Sequence, residues 1–222
     1  MTEVSMIFNL TVFIFNWFFR NKTRLLAVGF QSFLLLFFMA LGFSQVPNIQ
    51  SYFPSIFLIC TFFMGQFLLV ETHYKFSEEK TLQSLLLSGV SPNTLFISLL
   101  LTFTVWMLFI ECILWVLMHT FFQVNPIILT PSLLVVLISG TISYVSLGIL
   151  FYGFCAFSKI DAMFVMILFF TLQIPLFLFF YQALETLQHA EMTLRLLPLI
   201  GMNLLFVFSS LLLYEFMTED LT

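Results

Sequence analysis

Apolar residues along this chain come in long unbroken runs, not in alternation, and short polar breaks separate them. Six runs have the length of a bilayer crossing: residues 25–43, 53–70, 94–121, 133–157, 162–184 and 198–216. A hydrocarbon core about 30 Å thick takes roughly 20 apolar residues of helix. Backbone groups in lipid must be satisfied within their own segment, so each run is predicted to be α-helical. The pattern predicts an all-α integral membrane protein with six transmembrane helices, a single membrane domain over residues 1–222. The stretch before Arg20 reads differently. Its polar residues Thr2, Ser5, Asn9, Asn16 and Arg20 recur at spacings of three, four or seven and line up on one side of a helix. Residues 3–20 are therefore predicted to form an N-terminal helix lying in the cytoplasmic interface, with Trp17, Arg20, Lys22 and Arg24 at the headgroup boundary. A seventh span here would invert every later loop.

Composition agrees with lipid as the solvent. The 222 residues are 61% hydrophobic and 8% charged, against about half apolar and a quarter charged in soluble domains. Orientation follows from the cations. Arg20, Lys22, Arg24, Lys75, Lys80 and Lys159 fall on one side of a six-span chain, and only Arg195 falls on the other. This places both termini and residues 71–93 in the cytoplasm. The first basic residues follow the first apolar stretch, which is not the order of a signal peptide. A net charge of −4 offers no basic patch to nucleic acid. Cys60, Cys112 and Cys155 lie in separate apolar runs with no metal or redox spacing.

Five charges gather between the second and third runs, from Glu71 to Pro92. Ser77 is placed to cap a helix, with Glu78 and Glu79 in its first turn, where the helix dipole favours acids. Leu82, Leu85, Leu86 and Val90 recur at helical spacing, and Gly89 and Pro92 are expected to end the helix. The segment thus predicts a short amphipathic cytoplasmic helix joined to a span on each side. Such a helix can pass force from a soluble partner into both spans, or it can anchor a loop.

Few other residues carry chemistry. Glu111 sits in the middle of the third run, with His119 two turns later on the same face. A charge there is costly, so Glu111 is expected to line a cleft, to pair with a polar group such as His119, or to be a protonated packing residue. The outer segment holds Glu185 and His189, as an outer-face site or as solvated loop residues; a histidine there could ligate haem iron. Pro175 and the glycines Gly140, Gly148 and Gly153 fit moving helices and static packing alike. No catalytic set and no metal set is evident, and an intramembrane enzyme would need more than Glu111.

An acidic residue closing the second span, followed by Thr81-Leu82-x-x-Leu85-Leu86-x-Ser88 before the third, resembles the permease subunits of type-2 ABC exporters. Within them it is most similar to the CcmB family of the cytochrome c maturation system. Leu147-Gly148 followed by the Ser158-Lys159 turn is also similar to that family, as is the run from Leu168 through Pro175. The chain departs at Lys80, where the family carries Gly, at Gln83, where it carries Glu, and at Gly89, where it carries Pro. The resemblance implies an ATPase-coupling helix made of Glu71, Glu78, Glu79, Thr81, Leu82, Leu85, Leu86, Ser88 and Gly89. It implies a homodimer in the lipid bilayer, a separate CcmA-like subunit that binds and hydrolyses ATP, and CcmC-like and CcmD-like membrane neighbours. Haem enters as a substrate or on a partner, in haem export or release of a haem-loaded chaperone, and this chain is not itself an enzyme. Two other readings stay open: an exporter permease for lipid, glycan or drug, and a membrane scaffold with no transport path.

Overall fold

The computed structural model describes residues 3–20, 22–43, 46, 49–78, 80–122, 131–157, 162–185 and 192–218. Among them every regular element is helical. The order is α1 (Glu3–Arg20), α2 (Lys22–Phe43), a 3-10 turn (Ile49–Tyr52), α3 (Phe53–Glu78), α4 (Thr81–Leu87), α5 (Pro92–Phe122), α6 (Pro131–Phe157), α7 (Ala162–Glu185) and α8 (Met192–Thr218). Five of these are long and apolar enough to cross a membrane: α3, α5, α6, α7 and α8. The described apolar stretch of α2, Gly29–Phe43, is shorter. The chain is an all-α, membrane-embedded protein.

The helices pack around α6, which touches α3, α5, α7 and α8. Its small residues explain why so many neighbours can approach. A Cβ on Gly140 would overlap the Phe180 ring, and one on Gly148 would overlap Leu69. Across the same interface, a Cβ on Gly65 of α3 would run into the ring of Tyr144. Lipid tails are as apolar as leucine, so helices in a membrane gain little from hydrophobicity alone. Close backbone approach and bonds between helices hold them instead. The α6 glycines therefore serve packing here.

Polar side chains of α6 supply those bonds. The Tyr144 hydroxyl donates to the Phe62 carbonyl at 3.0 Å, and the Tyr152 hydroxyl donates to Gln66 Oε1 at 2.7 Å, both on α3. The Thr141 hydroxyl donates to Glu111 Oε1 on α5 at 2.8 Å. Asn203 Nδ2 of α8 donates to the Ser139 carbonyl at 3.0 Å. Among the described residues, bonds from Ser139 to Tyr152 thus tie α6 to α3, α5 and α8.

The N-terminal helix carries the expected stripe, with Asn9, Asn16 and Arg20 exposed and Ile14 buried. It also docks lengthwise on α5. Ser98 Oγ approaches the Ile7 carbonyl at 3.3 Å, and the Phe15 ring stacks on Trp106 at 5.3 Å. The two contacts are eight residues apart on both helices, so α1 and α5 run side by side in the same direction for about 12 Å. A polar stripe alone does not foretell that docking.

The packing account expects Gly65→Val to lower unfolding free energy by about 1–3 kcal/mol, because the anchored Tyr144 ring cannot yield. Gly201→Val, where a Cβ meets nothing within 4 Å, is expected to change it by less than about 0.5 kcal/mol. Thermal unfolding of the purified chain in one detergent measures both.

Candidate functional site

The candidate site has two parts, an elbow between α3 and α5 and a buried carboxylate where α5 meets α6. The elbow begins later than the sequence pattern suggests. α3 continues two turns beyond Val70, to Glu78. No Gly or Pro falls in these last two turns, the buried Thr72 hydroxyl donates to the Leu68 carbonyl at 2.7 Å, and the buried Phe76 ring lies 4.8 Å from Trp17. Ser77 is therefore inside the last turn of α3 and does not cap the elbow helix. Glu71 and Glu78 likewise belong to α3, not to α4. Their side chains, and all of Glu79, lie outside the described residues.

The break falls at Lys80, whose backbone is left-handed with φ 49° and ψ 29°. For a residue with a Cβ that conformation costs roughly 1 kcal/mol. Its carbonyl accepts the Ser84 N–H at 3.0 Å and the Ser84 hydroxyl at 2.9 Å, which opens α4. Nine residues after Lys80 the helix closes at Gly89, also left-handed at φ 89°. The Gly89 N–H bonds the Leu86 carbonyl at 3.0 Å, the Val90 N–H bonds the Leu85 carbonyl at 3.3 Å, and the Ser88 hydroxyl bonds the Leu85 carbonyl at 2.7 Å. These bonds satisfy carbonyls that a helix end leaves bare. Pro92 does not end α4; it is the first residue of α5, where its missing N–H costs nothing. Ser91 caps that helix by accepting the Thr94 N–H at 3.3 Å.

The C-terminal end of α4 is thus closed by hydrogen bonds, its N-terminal end has no side-chain cap, and the helix is short. Thr81 and Leu85 are half-buried, while Leu82, Leu86 and Val90 are buried. Lys80, Ser84, Leu87 and Ser88 face outward, and Leu87 is 77% exposed. Reading the apolar ladder had passed over Leu87. The signal was available: Leu87 is a large apolar residue out of phase with the 82–86 ladder.

Glu111 is fully buried in α5. Its hydrogen-bonding partner is Thr141 on α6, and Oε2 has no partner among the described residues. The eight residues between Glu111 and His119 put them about 12 Å apart along the helix. His119 turns to its own helix, with Nδ1 2.7 Å from the Trp115 carbonyl, and its ring packs edge-on against Phe53 at 5.1 Å. A carbonyl can only accept, so Nδ1 carries the proton in that contact. Glu185 is exposed as the last residue of α7, and His189 lies outside the described residues. Among the described residues no three of His, Cys, Asp or Glu gather where they could hold a metal ion.

Glu111→Gln keeps the acceptor for Thr141 and is expected to leave the unfolding midpoint nearly unchanged. Glu111→Ala leaves a cavity and an unpaired hydroxyl, and is expected to cost about 2–4 kcal/mol. Equal midpoints for the Ala and Gln variants would contradict this placement. Comparison with protein-family models, with curated proteins and with solved structures finds no match to this chain.

Proposed function

We propose that this chain is the membrane subunit of an ATP-binding-cassette exporter, similar to the CcmB permease of cytochrome c maturation. In this reading α2 joins the five long helices as the first of six spans, and α1 packs lengthwise against α5 instead of lying flat in the cytoplasmic interface. Both termini face the cytoplasm across a bacterial inner membrane. The cation asymmetry supports that orientation, with Arg20, Lys22, Arg24, Lys75, Lys80 and Lys159 on one side and Arg195 on the other. ATP is bound and hydrolysed in a CcmA-like partner, and this chain works as a homodimer beside CcmC-like and CcmD-like subunits. The cargo is haem, or a haem-bearing partner released on the outer side.

The observation that carries the reading is the elbow. α4 is short, set off by left-handed residues at Lys80 and Gly89, closed by hydrogen bonds at its C-terminal end, joined directly to two membrane-crossing helices, and tipped by exposed Leu87. That is the form of a part that receives a push from a soluble protein. The left-handed Lys80 adds support, because it stands where the similar family carries Gly. Covering an exposed leucine removes its apolar surface from water and favours association.

Affinity capture of the tagged chain with mass spectrometry of what it retains is the direct test. An ATP-binding subunit is expected in the eluate, and Leu87→Asp is expected to reduce it at least about tenfold. Leu87 is exposed, so the variant should remain inserted with its unfolding midpoint unchanged. Full recovery of the ATPase with Leu87→Asp, or no ATPase with the unaltered chain, would refute the reading.

A further inference from the structure

α7 is weakest at its middle. Pro175 has no N–H, so the Thr171 carbonyl loses the backbone donor that an unbroken helix would give it. The Thr171 hydroxyl turns back to the Ile167 carbonyl at 2.9 Å, a bond that favours bending. On either side of this point the helix is anchored to α6. The Phe169 ring lies 5.7 Å from Tyr144 and 6.2 Å from Tyr152, and the Phe180 ring fills the space over Gly140. Two anchored halves joined by a weak middle are the parts of a hinge.

Beside the hinge the surface opens. A cleft of about 420 Å³ runs between α3 and α7, from Ser55 and Tyr181 at one end to Phe63 and Phe170 at the other. Ile59 and Phe63 of α3 and Ile174 and Leu178 of α7 line its opposite walls. The half of α7 beyond Pro175 is therefore one wall of the cleft and has room to swing toward α3.

Gln173 sits at the hinge. It is 1% exposed, and neither its Oε1 nor its Nε2 has a hydrogen-bonding partner among the described residues. A buried amide left unpaired in hydrocarbon is costly, which favours any conformation that pairs it. An acceptor is at hand within the chain. Phe169 and Phe177 lie one turn before and one turn after Gln173 on the same side of α7, and their rings are 5.7 and 6.3 Å from the Tyr144 ring. Gln173 therefore stands opposite Tyr144. The Tyr144 hydroxyl donates its proton to the Phe62 carbonyl, and its oxygen can still accept.

We propose that α7 is a two-position gate: the half beyond Pro175 swings about Thr171–Pro175 toward α3, closes the α3–α7 cleft, and is latched when Gln173 Nε2–H donates to the Tyr144 hydroxyl oxygen. The structure shows the open position, with the latch unmade. Bending the helix opposes closure and pairing the amide favours it, so whatever occupies the cleft decides between the two positions. The gate needs only this chain and does not rest on the ATPase of the proposed function.

The test is pulsed electron paramagnetic resonance on the full chain in liposomes, with Cys60, Cys112 and Cys155 replaced by Ala. Spin labels are placed at Tyr52→Cys, before α3, and at Glu185→Cys, at the end of α7; both positions are exposed, so the labels stay out of the cleft. An excess of unlabelled chain restricts the reading to distances within one copy. A swing of about 20° beyond Pro175 carries the end of α7 about 5 Å, so two distances differing by about that much are expected. Gln173→Leu and Tyr144→Phe are each expected to lower the ratio of the shorter to the longer about tenfold, and the two together no further, because they break one bond. Leucine is no bulkier than glutamine, and phenylalanine keeps the ring against Gly65, so both variants keep the packing. Pro175→Ala restores the missing N–H and is expected to leave only the longer distance. A single distance in the unaltered chain, or losses that add in the double variant, would overturn the latch. Two distances that survive Pro175→Ala would overturn the hinge.

Discussion

Helices surrounded by lipid gain almost nothing by hiding one apolar face against another, and this bundle depends on that constraint. What remains is distance and polarity. Backbones must come close enough for dispersion to add up, and buried polar groups must find one another. α6 supplies both along a single seam. Gly140 and Gly148 admit Phe180 and Leu69, while Tyr144, Tyr152, Thr141 and Ser139 reach α3, α5 and α8. The Tyr144 ring does two things at once. It fills the space that Gly65 leaves open, and its hydroxyl reaches the Phe62 carbonyl.

That seam gives the elbow its mechanical setting. α3 is tied to α6 through Tyr144 and Tyr152, and α5 is tied to α6 through Glu111 and Thr141. α4 joins α3 to α5 through short connections at Lys80 and at Ser88–Ser91. A displacement of α4 would therefore load both arms of one hydrogen-bonded triangle. In the proposed exporter this is how events in a soluble ATPase would reach the membrane.

Much of this was legible in the sequence. The starts at Phe53 and Ala162 and the end at Phe157 are where the apolar runs place them. The elbow was placed between the second and third runs, and Glu111 was singled out as anomalous. The misreadings share a cause. Hydropathy reports where lipid ends, not where a helix ends, so α3 was cut at Val70 although its backbone continues to Glu78. The apolar run ends before Ser77, which gives Ser77 the pattern of a cap although it lies within α3. The partner of Glu111 is 30 residues away on another helix, and the Tyr152–Gln66 bond spans 86 residues. Neither leaves a local mark. Leu87 faces outward because α4 is too short to bury more than one side, which depends on the left-handed turns at Lys80 and Gly89.

The account stands on α3 and α5 crossing the membrane in opposite directions, with the elbow on one side. The most direct measurement is labelling with a membrane-impermeant maleimide in sealed vesicles. Single cysteines would be placed at Tyr52, exposed before α3, and at Ser88, exposed at the end of α4. The account predicts that Tyr52→Cys and Ser88→Cys react from opposite faces of the vesicle. Reaction of both from the same face would contradict it.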